Sequence, residues 1–278
     1  VLVLAPKVIT DWFQGKEIAT AMAISGVSFG SGVGIAMASL PFIARLTSWQ
    51  AAMALNVVPI GLAVALLCLI YRDQEHVPAS SSRKEVPWII TVPEFLLSFI
   101  AGILRALFAS GYIVFMSFLP PLLIEQGIQA EQAGLITSMA AWATLVSVPL
   151  GGYLSDRTRK PNGFIVCGSL GAALTCILVP YVAPTILWVM LFGFLRGGCT
   201  GGIMALPSQV LRPESRSTGF AIVSVAYFIC MAAFPAIAGL ILDTTGSAAA
   251  PLWFAGTLWL SIIGWLGMFR LLQHRWIV

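Results

Sequence analysis

This sequence has very little charge. Asp, Glu, Lys and Arg make up 9% of its 278 residues, against about 25% in soluble globular domains. Hydrophobic residues reach 59%, too much apolar surface to keep out of water without a lipid phase. Acidic residues are scarcest inside the long apolar runs: Glu94 opens one, Asp243 closes another, and no His lies in any. Without paired acids or a His cluster at membrane depth, a membrane-embedded enzyme is not expected. The five cysteines, Cys68, Cys167, Cys176, Cys199 and Cys230, stand apart in apolar runs and form no CxxC pair. They imply no disulfide framework, no metal site and no cofactor. No charged leader followed by a cleavage site is visible. The chain opens with Val1, and residues 1–9 read as the end of a longer apolar helix, so truncation is expected.

Crossing a bilayer takes about 20 apolar residues at 1.5 Å rise. Eight runs qualify: 18–44, 50–71, 95–119, 133–154, 163–182, 186–206, 219–242 and 252–272. The expectation is an all-α polytopic membrane protein of eight full spans plus an opening half-helix. The longest polar linker, near 72–92, carries Pro78, the Ser80 to Ser82 run, Arg83 and Lys84. It separates a first segment, 1–71, from a second, 93–278.

The net charge of +4 does not point to nucleic acid, because the basic residues sit in short loops between apolar runs and so report orientation. Alternating outward from the opening half-helix puts Lys7, Lys16, Arg72, Arg83, Lys84, Arg157, Arg159, Lys160, Arg212, Arg216, Arg270 and Arg275 on one side. The other side holds only Arg45. That bias makes the rich side, and the C-terminus with it, cytoplasmic. Trp12, Trp49, Trp88, Trp188, Trp253 and Trp276 fall near span ends, where interfacial anchors belong. A short similarity links Thr20-Ala21-Met22-Ala23-Ile24 to Thr218-Gly219-Phe220-Ala221-Ile222. Its offset corresponds to six spans, and duplicated six-helix halves are a known transporter plan.

The segment from Gly152 through Asp156-Arg157 to Arg159-Lys160 resembles the signature loop of the major facilitator superfamily, in the form found between the family's eighth and ninth helices. The Gly expected three positions after the Asp is Arg159 here. Asp11 to Glu17, followed by Ala19 to Met22, resembles the family's loop between helices four and five. The resemblance spans the whole chain. It implies a major-facilitator-like helical bundle: 1–71 is what remains of the N-terminal six-helix half, 72–92 the cytoplasmic inter-half linker, and 93–278 the complete C-terminal half. Helices one to three and most of four would be missing. Gly152, Asp156, Arg157, Arg159 and Lys160 become candidates for a conformational gating loop. The glycines of the fifth family helix, Gly26, Gly30, Gly32 and Gly34, lack the Gly-Pro pair common in antiporter branches, which argues against drug-type antiport.

Ionisable groups are costly at membrane depth, by about 2.5–3.5 kcal/mol on insertion scales. Arg105 and Arg196 each lie ten residues into a run, about 15 Å along the helix axis. Under the family mapping they fall on helices seven and ten, which line the family's central cavity. Ser98, Gly102, Ala109 and Tyr112 share a helical face with Arg105; Gly193 and Thr200 share one with Arg196. A guanidinium is permanently charged and bidentate toward carboxylates and oxyanions, so the pair is expected to bind an anion, the alternative being that the arginines brace the bundle. Tyr112, Thr200 and Trp142 complete the candidate substrate site, with Asn56, Tyr227 and Glu94 as further polar positions. Pro59, Pro149 and Pro235 are expected to bend helices.

The expected function is secondary active transport of a small anionic solute by alternating access, proton-coupled or facilitated, in a plasma (inner) membrane. The partners are the solute, protons and the bilayer, with no nucleic acid and a monomeric state. The candidate solutes are a monocarboxylate or a cyanate-like ion, since the loop after the fourth family helix is similar to cyanate- and nitrate-porter-like branches. Nitrate porters resembling these carry an Arg on helix eight, which 133–154 lacks. A transporter-like solute sensor and a truncated, non-transporting fragment are the competing readings.

Overall fold

The computed structural model describes residues 18–70, 90–158, 161–212 and 215–277, with only the backbone described at 18–29 and a few further positions, Asp156 among them. The chain divides into two compact units, Val1–Val86 and Pro87–Val278.

In the first unit, α1 (Ile18–Leu46) is followed by α2 (Trp49–Leu55) and α3 (Val57–Ile70). The expected span over 50–71 is one apolar stretch, Trp49–Leu69, whose helix is interrupted at Asn56. Its amide Nδ2 donates to the carbonyls of Ala52 and Met53, a local competition that short polar side chains bring into helices. Ser48 caps α2, its hydroxyl accepting from the Ala51 N–H at 3.2 Å. Within the unit, Leu46, Trp49, Val57, Val58 and Leu69 are exposed, as suits side chains that face lipid.

The second unit contains six helices: α4 (Val92–Glu125), α5 (Ala130–Thr158), α6 (Pro161–Leu178), α7 (Thr185–Ala205), α8 (Arg216–Thr245) and α9 (Ala249–Ile277), with a 3-10 turn at Pro207–Gln209. Seven helical stretches among the described residues are long and apolar enough to cross a membrane. They are Trp49–Leu69 and one in each of α4 to α9. The helices overrun the apolar runs. α9 carries His274 and Arg275 in its last turn, so a histidine does lie on a spanning helix, at its end. α5 continues through Thr158, so the signature segment expected as a loop is helical for most of its length. Pro120, Pro121, Pro149 and Pro235 all lie inside helices.

Backbones approach closely where side chains are smallest, the usual packing device in lipid. A Cβ on Gly151 would meet Gly198, and one on Gly193 would meet the Ala140 backbone, so α5 and α7 touch main chain to main chain. Gly102 does the same for α4 against Val223 and Ala226 of α8. Gly111 leaves room for the indole of Trp259 on α9. Gly246, at φ 65°, closes α8 in the left-handed conformation that favours glycine. Arg270 of α9 donates to Asn162 Oδ1 at 2.6 Å and to Gln209 Oε1 at 2.8 Å, tying α9 to the start of α6 and to the 3-10 turn.

Candidate functional site: two arginines among aromatic rings

Arg196, on α7, projects toward α4. Its guanidinium carbon lies 3.9 Å from the centroid of the Tyr112 ring and 4.7 Å from that of Phe108. Phe108 and Tyr112 are four residues apart on α4 and so share a face. Arg105 lies three residues before Phe108, but its guanidinium crosses to α8, 5.0 Å from the Tyr227 ring. Each guanidinium thus rests on a ring, that of Arg196 on α4 and that of Arg105 on α8.

The rings rest on a buried aromatic base. Phe192, one turn before Arg196, stacks on Phe115 with centroids 3.8 Å apart and runs parallel to Tyr112 at 6.4 Å. Trp259 meets Phe108 edge-on at 5.3 Å and Phe192 at 5.9 Å. Phe108, Phe115, Phe192 and Trp259 are almost fully buried. Such pairs add about 0.5–1.5 kcal/mol each beyond burial, which holds the ring faces still under the cations. A guanidinium over a desolvated ring gains about 2 kcal/mol. That offsets part of the cost of burying the charge and leaves the Nε–H donors unused.

Those donors lack partners. The Nε atoms of Arg105 and Arg196 are buried without a hydrogen bond, and so are the Tyr112 hydroxyl and Ser98 Oγ. Among the described residues, no carboxylate pairs with either arginine. A buried donor without a partner costs about 1–3 kcal/mol, more if charged; Ser169 Oγ and Trp259 Nε1 are in the same state.

The candidate residues separate in the structure. Arg196 meets Tyr112, and Arg105 meets Tyr227. Thr200 turns back on its own helix, its hydroxyl donating to the Arg196 carbonyl at 3.3 Å. Trp142 lies on α5 at 43% exposure, with neither arginine over its ring. Gly102 and Gly193, placed by spacing on cavity stripes, are helix contacts instead. Phe108 and Phe192 were not among the candidates. Their positions, three residues after Arg105 and four before Arg196, carried the signal, since i, i+3 and i, i+4 neighbours share a face.

In the gating segment, Gly152 lies beside Gly201, whose added Cβ would sit 3.8 Å from its Cα. Arg157 donates to the Tyr153 hydroxyl at 3.3 Å. Arg159, Lys160 and the Asp156 side chain lie outside the described residues, as does the 11–17 segment.

A second charged cluster lies at the start of α4. Thr91 and Glu94 form a capping box: Glu94 N–H donates to Thr91 Oγ1, and the Thr91 N–H donates back to Glu94 Oε2 at 3.0 Å. The same carboxylate takes a bidentate bond from Arg212, Nε to Oε1 at 2.9 Å and Nη2 to Oε2 at 3.0 Å. Ser215 donates to Oε1 at 2.7 Å. The sequence shows the Thr-x-x-Glu pattern at 91–94 but not the partner 118 residues away.

The Major Facilitator Superfamily profile matches residues 1–115 and 95–275. A Pseudomonas putida protein named as a metabolite transport protein, NicT, is 27% identical over 58% of this chain and 37% of its own length. Monocarboxylate transporter 12-B of Danio rerio is 26% identical over 60% of this chain and 36% of its own. Human monocarboxylate transporter 12 is 24% identical over 56% and 32%. The matched region spans about a third of these curated relatives. With the family profile covering almost the whole chain and the helices long and apolar enough to span a bilayer repeatedly, this protein belongs to the Major Facilitator Superfamily of multi-pass membrane transporters.

Proposed function

We propose that the protein carries a small organic anion, a monocarboxylate being the leading candidate, and that Arg105 and Arg196 bind its charged group. The observation behind this reading is the pair of arginines on adjoining helices, both stacked on rings and both with a buried Nε lacking a partner. A carboxylate brings two acceptor oxygens in the geometry a guanidinium fork matches. The Tyr112 hydroxyl supplies a further donor, and the aromatic walls suit an apolar remainder. Two of the relatives bear the name monocarboxylate transporter, which agrees with the same chemistry.

Transport by alternating access in the plasma membrane, as a monomer and with or without a coupled proton, belongs to this proposal. With no carboxylate beside the arginines among the described residues, a coupled proton would have to enter on the substrate or on groups elsewhere in the protein.

The test uses the full-length protein in detergent. Thermal unfolding is followed against small monocarboxylates, inorganic anions, neutral sugars and amines. A ligand at about 100 times its Kd stabilises by about 2.7 kcal/mol. The expected result is stabilisation by monocarboxylates that disappears in Arg196→Leu and Arg105→Leu. Stabilisation by sugars or amines alone, or anion binding retained in both variants, would assign the arginines to bracing the bundle.

A further inference from the structure

Away from the arginines, an open-sided groove of about 220 Å³ runs between α5, α6 and α7. Leu150 and Leu154 of α5, Phe164 and Cys167 of α6, and Phe194 and Gly198 of α7 form its walls. Ser147 is the one hydroxyl along it, and that hydroxyl already contacts the Thr144 and Gly193 carbonyls. A cavity with no free polar group does not hold water. All three helices are long and apolar enough to cross a membrane, and a groove on the lipid side of such helices meets hydrocarbon. Gly198 forms an open part of the wall, where an added Cβ would meet no atom within 4 Å.

The stripe continues to a charge. Leu150, Leu154 and Arg157 follow at i, i+4 and i+7 on one face of α5. Arg157 is exposed and donates to the hydroxyl of Tyr153, itself 60% exposed. Tyr and Arg are interfacial residues, and this end of α5 is the one that the Lys and Arg bias assigns to the cytoplasm, where anionic lipids gather. We infer that the groove binds an acyl chain of an anionic phospholipid, with the lipid phosphate held at Arg157. The apolar walls take the tail whatever its headgroup; Arg157 supplies the preference for negative charge. This site is independent of the anion proposed at Arg105 and Arg196.

The test places the full-length protein in nanodiscs of phosphatidylcholine. A small fraction of phosphatidylglycerol carrying a diazirine in its acyl chain is added, with the matching phosphatidylcholine probe run in parallel. After illumination, labelled peptides are mapped by mass spectrometry. The phosphatidylglycerol probe is expected to label residues 164–168 and 194–198 several-fold more than its neutral counterpart. Gly198→Leu fills the groove and is expected to remove that labelling; Gly198→Ala, a smaller addition at the same open point, is expected to lower it. Arg157→Gln is expected to bring phosphatidylglycerol labelling down to the phosphatidylcholine level without reducing the latter. Size-exclusion profile and unfolding temperature establish that the variants are folded. Equal labelling by the two probes in the unaltered protein overturns the proposal. So does undiminished labelling in folded Gly198→Leu and Gly198→Ala. Competition by soluble glycerol 3-phosphate would reassign Arg157 to a free anion, and cross-links from this groove to a second protein would reassign the groove; either result overturns it as well.

Discussion

Two clusters in the second unit use the same cation in opposite ways. At the start of α4, the buried carboxylate of Glu94 accepts from Arg212, Ser215 and Thr91, and both its oxygens are occupied. Deeper in the bundle, Arg105 of α4 and Arg196 of α7 rest on rings with a buried Nε unpartnered and no carboxylate beside them among the described residues. The first cluster is electrostatically complete and joins α4 to the segment before α8. The second carries two half-buried arginines over rings, each with its Nε buried. A complete pair stabilises a fold; an incomplete one is what the proposed anion would complete.

Substitutions separate the two roles. The largest effect is expected for Arg196→Leu, which should weaken anion binding by about 2–5 kcal/mol, the range for truncating one partner of a buried charge pair. Titration calorimetry reads it directly. Without ligand, the same variant should unfold at the same temperature as the unaltered protein or higher, because it removes a buried charge that lacks a counter-ion. Glu94→Gln should do the reverse. Anion affinity should hold while stability falls by about 1–3 kcal/mol, a figure moderated because the Arg212 side chain is 57% exposed. A denaturation series with and without anion measures both. Phe108→Leu sharpens the comparison. Removing one ring beneath Arg196 should cost about 0.5–2 kcal/mol of binding, less than removing the cation itself. Trp142→Ala should change affinity and stability by less than about 0.5 kcal/mol, as expected of a surface position without ring partners.

Most of the spans and their order are legible in the sequence, because lipid imposes a length and a polarity that composition records directly. The aromatic base is half legible. Phe108 and Phe192 lie one turn from the arginines on their own helices, whereas Trp259 and Tyr227 arrive from α9 and α8 through helix packing alone. The direction of Arg105 is not legible, since position on a helix does not say which neighbour a long side chain will reach. The same limit explains Gly102 and Gly193. A small residue beside a charge can line a cavity or admit another helix, and in both cases a neighbouring backbone takes the space. The break at Asn56 lies inside an unbroken apolar run and turns on one side-chain amide bonding its own helix.

The most direct test of the central claim is titration of the full-length protein with a small monocarboxylate, comparing the unaltered protein, Arg105→Leu, Arg196→Leu and the double variant. If both arginines hold one anion, each single variant loses most of the affinity, and the double variant loses clearly less than the sum of the two. Anion binding that survives in the double variant, or losses that simply add, would contradict a shared site and make these arginines part of the bundle's framework.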